Sequence, residues 1–334
     1  MEKRDVVVYS EDYKKLVDAT ALKDKYYEID ERVEEICKEA FKGCDKLEEI
    51  VMPKKLKKID SEAFQGCSSL TKLTLPDSVA SIGRWAFQGC SGLTELTLSN
   101  SLVSIGGNAF SWCSGLEKIM VESGNSRYDS RDNCNSIIDT ETNTLIVGCK
   151  NSVIPNGVTS IGDSAFSGCS GLTELTLPDS LKSIDGSVFS GCSSLTKLTL
   201  PNSLESIGEH AFSDCRGLTE LTLPNSVASI GNGAFGGCSG LTELTLPNSV
   251  TSIGDAAFSE CSGLSKITSL AGIPPVCGFK VFNGVNKTNC ELIVPIVSVI
   301  AYKLAEVWNE FSNIRGFSGV EVTVADKTRK IVVE

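Results

Sequence analysis

One cysteine setting recurs along this chain. The stretch AFGGCSGLTELTLPNS, Ala234–Ser249, is one instance of it. Nine cysteines share the setting: Cys44, Cys67, Cys90, Cys113, Cys169, Cys192, Cys215, Cys238 and Cys261. A thiol can be a nucleophile beside a base, a metal ligand, half of a disulfide or a small buried hydrophobe. Zinc needs four converging donors, usually supplied as C-x₂₋₄-C pairs, and the sequence contains no such pair. Stacked copies would bring these cysteines to about 5 Å, near disulfide range, but in-register side chains point the same way. The spacing therefore favours buried filler. Cys134 with Cys149, and Cys277 with Cys290, lie in irregular segments. Both pairs stay open as bridges in an exported protein.

Other chemistry has few carriers. His210 is the sole histidine. It holds a variable position of the repeat, where other copies have Trp85, Asn108, Ser164 or Gly233, and it is expected to face solvent. Cys215, five residues on, belongs to the inward set, so a Cys–His pair would need one side chain to leave its place. Acidic residues are scattered, and no glycine-rich phosphate loop follows a strand. DSRDNCNSIID (Asp129–Asp139) lacks the D-x-D-x-D-G spacing of a calcium loop. The expectation is a non-enzyme with no cofactor and no metal.

Charge and hydropathy narrow the classes further. The net charge is −11, which argues against general nucleic-acid binding. The basic run PKKLKK (Pro53–Lys58) is flanked by acids and reads as a solvated edge. Hydrophobic residues make up 41% and charged residues 22%, a globular balance. No apolar run approaches the roughly 20 residues of a spanning helix. The start, MEKRDVVVYSEDYKK, lacks the apolar core of a secretory signal. By that reading the protein stays inside, or a signal preceded this sequence.

The cysteines are positioned by a repeat. IDSEAFQGCSSLTKLTLPDSVAS runs Ile59–Ser81 and IGRWAFQGCSGLTELTLSNSLVS runs Ile82–Ser104. Nine units of period 23 begin at Ile36, Ile59, Ile82, Ile105, Ile161, Ile184, Ile207, Ile230 and Ile253. Such a period marks a solenoid. LTELTLP alternates apolar and polar residues and reads as a short strand. Pro-Asn-Ser or Pro-Asp-Ser ends it in a turn. V-x-x-I returns to the core, and D-x-A-F-x-x-C reads as about one helical turn with Ala, Phe and Cys inward. One unit cannot bury its own apolar face, but stacked units can.

The pattern LxxLxLPxSVxSIGxxAFxxCxxL resembles the BspA-like leucine-rich repeat of microbial surface proteins, across roughly Tyr27–Ile314. It departs from the commoner leucine-rich repeat at the ninth position, where Ser78, Ser180 and Ser226 replace Asn, so a full asparagine ladder is not expected. The expected fold is α/β: a right-handed leucine-rich-repeat solenoid with a parallel sheet on one face, a hairpin insert in one repeat and capped ends. Residues 1–35 form an N-terminal cap, with Ile29 in its last strand position, and residues 36–270 the solenoid. The interval from Ile105 to Ile161 is 56 residues, leaving room for an insert at about 122–154 whose SIID and TLIVG form a hairpin projecting from the stack. Residues 271–316 form a C-terminal cap. Its strand is CELIVP, and its helix Val297–Phe311 has Ile300, Leu304, Val307, Trp308 and Phe311 on one face. Residues 317–334 form a β-tail of unclear role.

Binding is left to the surface. One outward strand position alternates in sign except at Glu220–Glu243 and across the insert, with Glu95, Lys118, Glu174, Lys197, Glu220 and Glu243 among its members. These charges can pair across strands about 4.8 Å apart, so the face is either scaffold or a ligand surface. The other outward position is mostly threonine, with Met120 as an exception. Trp112 replaces a repeat glycine, and Trp85 lies one coil earlier; Arg127, Tyr128 and Arg131 follow in the insert. Aromatic and arginine side chains are typical binding anchors. The two tryptophans either pack under the hairpin or form a lateral binding patch. The resemblance implies a protein ligand, an extracellular-matrix or host surface protein, met in adhesion at a microbial cell surface. The competing class is an intracellular or structural assembly module.

Overall fold

The computed structural model describes residues 7–318. The chain has two compact units, Met1–Thr173 and Glu174–Glu334, each a stack of coils. The expected β-tail lies outside the described residues from position 319 on, and Phe317 still belongs to the strand Asn313–Phe317.

In the first unit, the strands Tyr26–Glu28, Glu49–Val51, Lys72–Thr74, Glu95–Leu98 and Lys118–Val121 form one parallel sheet. Burial alternates along Glu95–Leu98, exposed then buried, because alternate side chains of a strand point to opposite faces. A second sheet collects the Ser-Ile pairs, with Ser81–Ile82 and Ser104–Ile105 at one end and Lys15–Asp18 and Val8–Tyr9 at the other. The second unit repeats the plan. Glu174–Thr176 pairs with Lys197–Thr199, and Glu220–Thr222, Glu243–Leu246, Lys266–Ser269, Glu291–Pro295 and Asn313–Phe317 form a further sheet. At Ser78, Ser203 and Ser249 the turn serine after proline does the work of an asparagine ladder, whereas Ser226 Oγ has no partner among the described residues. Ser78 Oγ donates to Leu56 O of the preceding coil at 2.6 Å, and Ser203 and Ser249 donate likewise at 2.7 Å.

The A-F-x-x-C side does not form a helical turn. Alternate backbone donors run to the next coil, as in Phe64 N to Ala86 O and Gly66 N to Gln88 O, both 2.7 Å, while Gln65 N and Cys67 N close turns within the coil onto Glu62 O and Phe64 O at 3.1 Å. Two residues per coil take positive φ to allow this, for example Glu62 at +59° and Gly66 at +77°. The inward set is as expected: Ala63, Phe64 and Cys67 are fully buried. Phe41, Phe64, Phe87 and Phe110 stack with centroids 4.8–5.2 Å apart in the first unit. Phe189, Phe212, Phe235, Phe258 and Phe282 do so at 5.1–5.7 Å in the second. Each offset ring pair adds about 0.5–1.5 kcal/mol beyond its buried area.

The insert does not project. Ile137–Asp139 and Thr144–Val147 form the expected antiparallel hairpin, but Thr144–Val147 also pairs in parallel with Ser160–Ile161. Ile137, Ile138 and Leu145 are fully buried, because this hairpin carries apolar residues on both of its faces and becomes part of the wall.

The ends close the stack with aromatic rings. Tyr27 tilts over Phe41 at 6.0 Å, and Ile29 is buried as expected. At the other end Trp308 and Phe311 meet Phe282 at 5.4 and 5.3 Å. The single helix expected over Val297–Phe311 is instead α-helix only from Val299 to Leu304, with 3₁₀ turns at Ile296–Ser298 and Trp308–Glu310. Ala305 is extended (ψ 135°) and Val307 takes φ +69°, so the helical face does not continue. Ile300 (72%) and Leu304 (77%) face solvent, and Tyr302, fully buried, takes the inward place.

Candidate functional site

The repeating thiols are built into the stack. Cys67 Sγ donates to Phe41 O at 3.1 Å, Cys90 to Phe64 O at 3.2 Å, and Cys238 to Phe212 O at 3.2 Å. An S–H donor is weak, but here it is repeated coil after coil. Burial pushes the thiols of Cys67, Cys113 and Cys215 up to about 12. A thiol held neutral in this way is not a nucleophile. All fourteen cysteines are free, including Cys134, Cys149, Cys277 and Cys290. Cys149 Sγ donates to Asn135 O at 3.5 Å, and Cys134 Sγ to Ser136 O at 3.7 Å. His210 is exposed, with Nε2 3.7 Å from Glu209. Its ring lies across Gly233, and Cys215 instead donates to Phe189 O at 3.2 Å. No cluster of three metal-binding side chains forms among the described residues.

The strand face carries its charges in register. Glu49, Lys72, Glu95 and Lys118 align across neighbouring strands, as do Glu174 with Lys197 and Glu220 with Glu243 and Lys266. Glu174–Lys197 and Glu243–Lys266 close to 3.4 Å. Both pairs are well exposed, and such pairs contribute about 0–1 kcal/mol. Met120 is 44% exposed on this face. The insert adds Asn135 and Asn151 beside Glu95 and Lys118, around a cavity of about 530 Å³. Neither asparagine stands out in the sequence, because the fold alone brings that loop to the strand face.

The insert residues separate. Tyr128 is 5% exposed, and its hydroxyl accepts from Ile105 N at 3.1 Å, so it supports the wall rather than the surface. Arg127 bridges Asp139 at 2.8 Å and also pairs with Glu141. Arg131 holds Asp129 at 2.9 Å and Asn143 at 3.1 Å. Both guanidinium groups are thus engaged within the insert. Asn125 staples the insert to the preceding coil, its Nδ2 donating to Ser99 O at 2.8 Å and Leu102 O at 2.9 Å.

The tryptophans hold the two positive-φ positions of successive coils, Trp85 at +56° and Trp112 at +61°. A bulky residue is uncommon there. Trp112 is 47% exposed. Its indole lies over Gly168, where a Cβ would come within 2.8 Å of the ring. It therefore packs on the coil that follows the insert rather than under the hairpin. Trp85 is half-buried, with the Arg84 guanidinium 4.5 Å from its ring centroid.

Stacked coils, parallel strand faces and ring-closed ends define a leucine-rich-repeat solenoid, a class of protein-interaction scaffold. Residues 21–139 and 144–275 match six copies of the BspA type leucine-rich-repeat region, and the chain belongs to that family. A leucine-rich-repeat protein from Bacteroides ovatus is similar at 27% identity and TM-score 0.51, over 87% of this chain and 70% of that one. A leucine-rich cell surface protein from Faecalibacterium prausnitzii is similar at 28% identity and TM-score 0.59, over 79% of this chain and 86% of that one. A leucine-rich-repeat protein from Eubacterium ventriosum shares the fold alone, at 19% identity and TM-score 0.67 over 80% and 78% of the two chains. No curated protein sequence matches this chain.

Proposed function

We propose that this chain is a non-enzymatic binding solenoid that recognises a host or extracellular-matrix protein at a microbial cell surface. The observation that carries the reading is its membership of the BspA-type family together with its likeness to a solved leucine-rich cell surface protein. The lateral patch of Trp85 and Trp112 is its leading contact. Exposed aromatic area on a rigid scaffold is the usual anchor of an interface, and Trp112 keeps such area at a backbone position that glycine fills at Gly43, Gly66 and Gly89. Glu95, Lys118, Met120, Glu174, Lys197, Glu220 and Glu243 on the strand faces are the second surface; Arg127 and Arg131 flank the insert.

The alternative is a spacer or assembly module with no host ligand, favoured by the Glu–Lys pairs that satisfy one another on the strand face. Immobilised matrix proteins separate the two readings when offered to the wild-type chain and to the double variant Trp85→Ala, Trp112→Gly. The glycine restores the residue that other coils use at that φ, so the fold is retained. Capture by the wild type and loss of about tenfold or more in affinity on substitution is expected, the size of one aromatic anchor. Equal capture of both would remove the lateral patch, and no capture at all would leave the spacer reading.

A further inference from the structure

Among the described residues, six large apolar side chains are at least 70% exposed: Ile273, Val276, Phe279, Val297, Ile300 and Leu304. All six fall in the C-terminal cap, on two segments that run side by side. Ser298 Oγ donates to Gly272 O at 2.7 Å, the Tyr302 hydroxyl to Ala271 O at 3.1 Å, and Trp308 Nε1 to Pro275 O at 2.9 Å. The first segment departs from the repeat. Val276 pairs in register with Ser252, and the same place is serine again at Ser229 and Ser206. The second segment presents one helical face. Val297, Ile300 and Leu304 recur at three and four residues, while Tyr302 is buried.

A single exposed apolar residue needs no explanation, but a patch of them marks a place of contact. The core at this end does not need these side chains, since Trp308 and Phe311 already close it over Phe282. The nearest candidate to cover them is the chain itself. The strand Asn313–Phe317 pairs in parallel with Glu291–Pro295, and Phe317 lies opposite Pro295. A Cβ on Gly316 would come within 2.9 Å of Ile296 Cα. The chain therefore passes Ser318 beside Ile296, where the apolar face begins. Its sequence runs on as GVEVTVADKTRKIVVE, outside the described residues. Val320, Val322 and Val324 alternate there with Glu321 and Thr323, a pattern that gives an extended segment one apolar side.

We propose that Val320–Val324 lies in extended form along Val297, Ile300 and Leu304 and covers this patch. The lengths agree. At about 1.5 Å per residue the helical face is about 10 Å long, and five extended residues reach about 16 Å. Only Gly319 separates the segment from the described chain. A tether that short gives an effective concentration on the order of millimolar, so the segment reaches the face ahead of a second copy or an outside protein. The contact is local and opens well below global unfolding, so it does not enter the cooperative transition of the solenoid. It is independent of what the strand faces and the tryptophans bind.

Methyl NMR of the full chain, labelled at Ile, Leu and Val, tests this. The methyls of Val322 should show cross-relaxation to those of Ile300 and Leu304. The shifts of Val320, Val322 and Val324 should differ from those of the free peptide GVEVTVADKTRKIVVE. Leu304→Asp, on the cap, and Val322→Asp, on the segment, should each return the remaining valines to their free-peptide shifts and raise the fluorescence of added 8-anilinonaphthalene-1-sulfonate. Leu304 is exposed, so Leu304→Asp should keep the wild-type circular dichroism. Free-peptide shifts for all three valines in the wild type would overturn the inference. So would valine shifts that Leu304→Asp leaves in place. Cross-relaxation found only between differently labelled copies, with a doubled mass in light scattering, would overturn it too and assign the patch to a second copy.

Discussion

The ladder thiols of Cys67, Cys113 and Cys215 place their sulfur on a carbonyl of the coil before, and burial holds these three neutral. Cys67, Cys113 and Cys215 are fully or almost fully buried, with pKa values of about 12. In the unfolded chain a thiol titrates near its ordinary value of about 8.5. The sign then follows. The folded pKa is raised, so the native state keeps protons that the unfolded state releases above that pH. The contribution is complete below about pH 8.5 and is lost as pH rises toward 12, by up to about 1.4 kcal/mol per pH unit for each thiol. Urea unfolding followed by circular dichroism should show stability falling from about pH 9 upward. The triple alanine variant at Cys67, Cys113 and Cys215 should begin less stable and fall less steeply. An equal slope in both chains would mean that the thiols are not the titrating groups. The burial of these cysteines could be read from the repeat itself. Their bond to the phenylalanine carbonyl could not, since it depends on how two coils sit on each other.

At the scale of elements, strands and turns follow the repeat because each is specified locally and then nine times over. The A-F-x-x-C segment departs from its expected helical turn coil after coil, because its bonds to the next coil are not local; the two other elements that escaped prediction occur once each. The C-terminal cap reads as one helix because Ile300, Leu304, Val307, Trp308 and Phe311 share a face if the helix is continuous. It is not continuous, and only Trp308 and Phe311 reach the core, together with Tyr302. Trp308 is fixed by its indole N–H to Pro275 O at 2.9 Å and by its ring against Phe282. Trp308→Ala should therefore cost about 3–5 kcal/mol, as a large buried ring does, and should expose the end of the phenylalanine stack. Ile300→Lys should change stability by no more than about 0.5 kcal/mol. Chemical denaturation of the two variants checks both figures, and a large loss in Ile300→Lys would restore the continuous helix. The insert escaped for a different reason. SIID and TLIVG on either side of TETN marked its hairpin correctly, but the pairing of Thr144–Val147 with Ser160–Ile161 is a long-range register that local pattern does not encode.

For the whole molecule, the proposed binding draws on charge and aromatic area as separable contributions. The chain carries −11, and its strand face adds the carboxylates of Asp77, Glu95 and Glu122 around one cavity. Such a field acts at long range: it speeds encounter with a basic partner and is screened by salt, with a Debye length of about 8 Å at physiological strength. In the proposed interface Trp112 acts at contact, through apolar area that salt does not screen, and is expected to govern departure rather than arrival. Surface plasmon resonance with a captured basic partner should therefore split the two. Raising sodium chloride from about 0.05 to about 0.5 M should lower the association rate by about tenfold with little change in dissociation. Trp112→Gly should raise the dissociation rate and leave the salt dependence of association as it was. Glu122→Gln should reduce that salt dependence, since it removes one of the carboxylates the field is drawn from. If salt moved only the dissociation rate, the acidic face would be a bystander and the tryptophans would carry the interface alone.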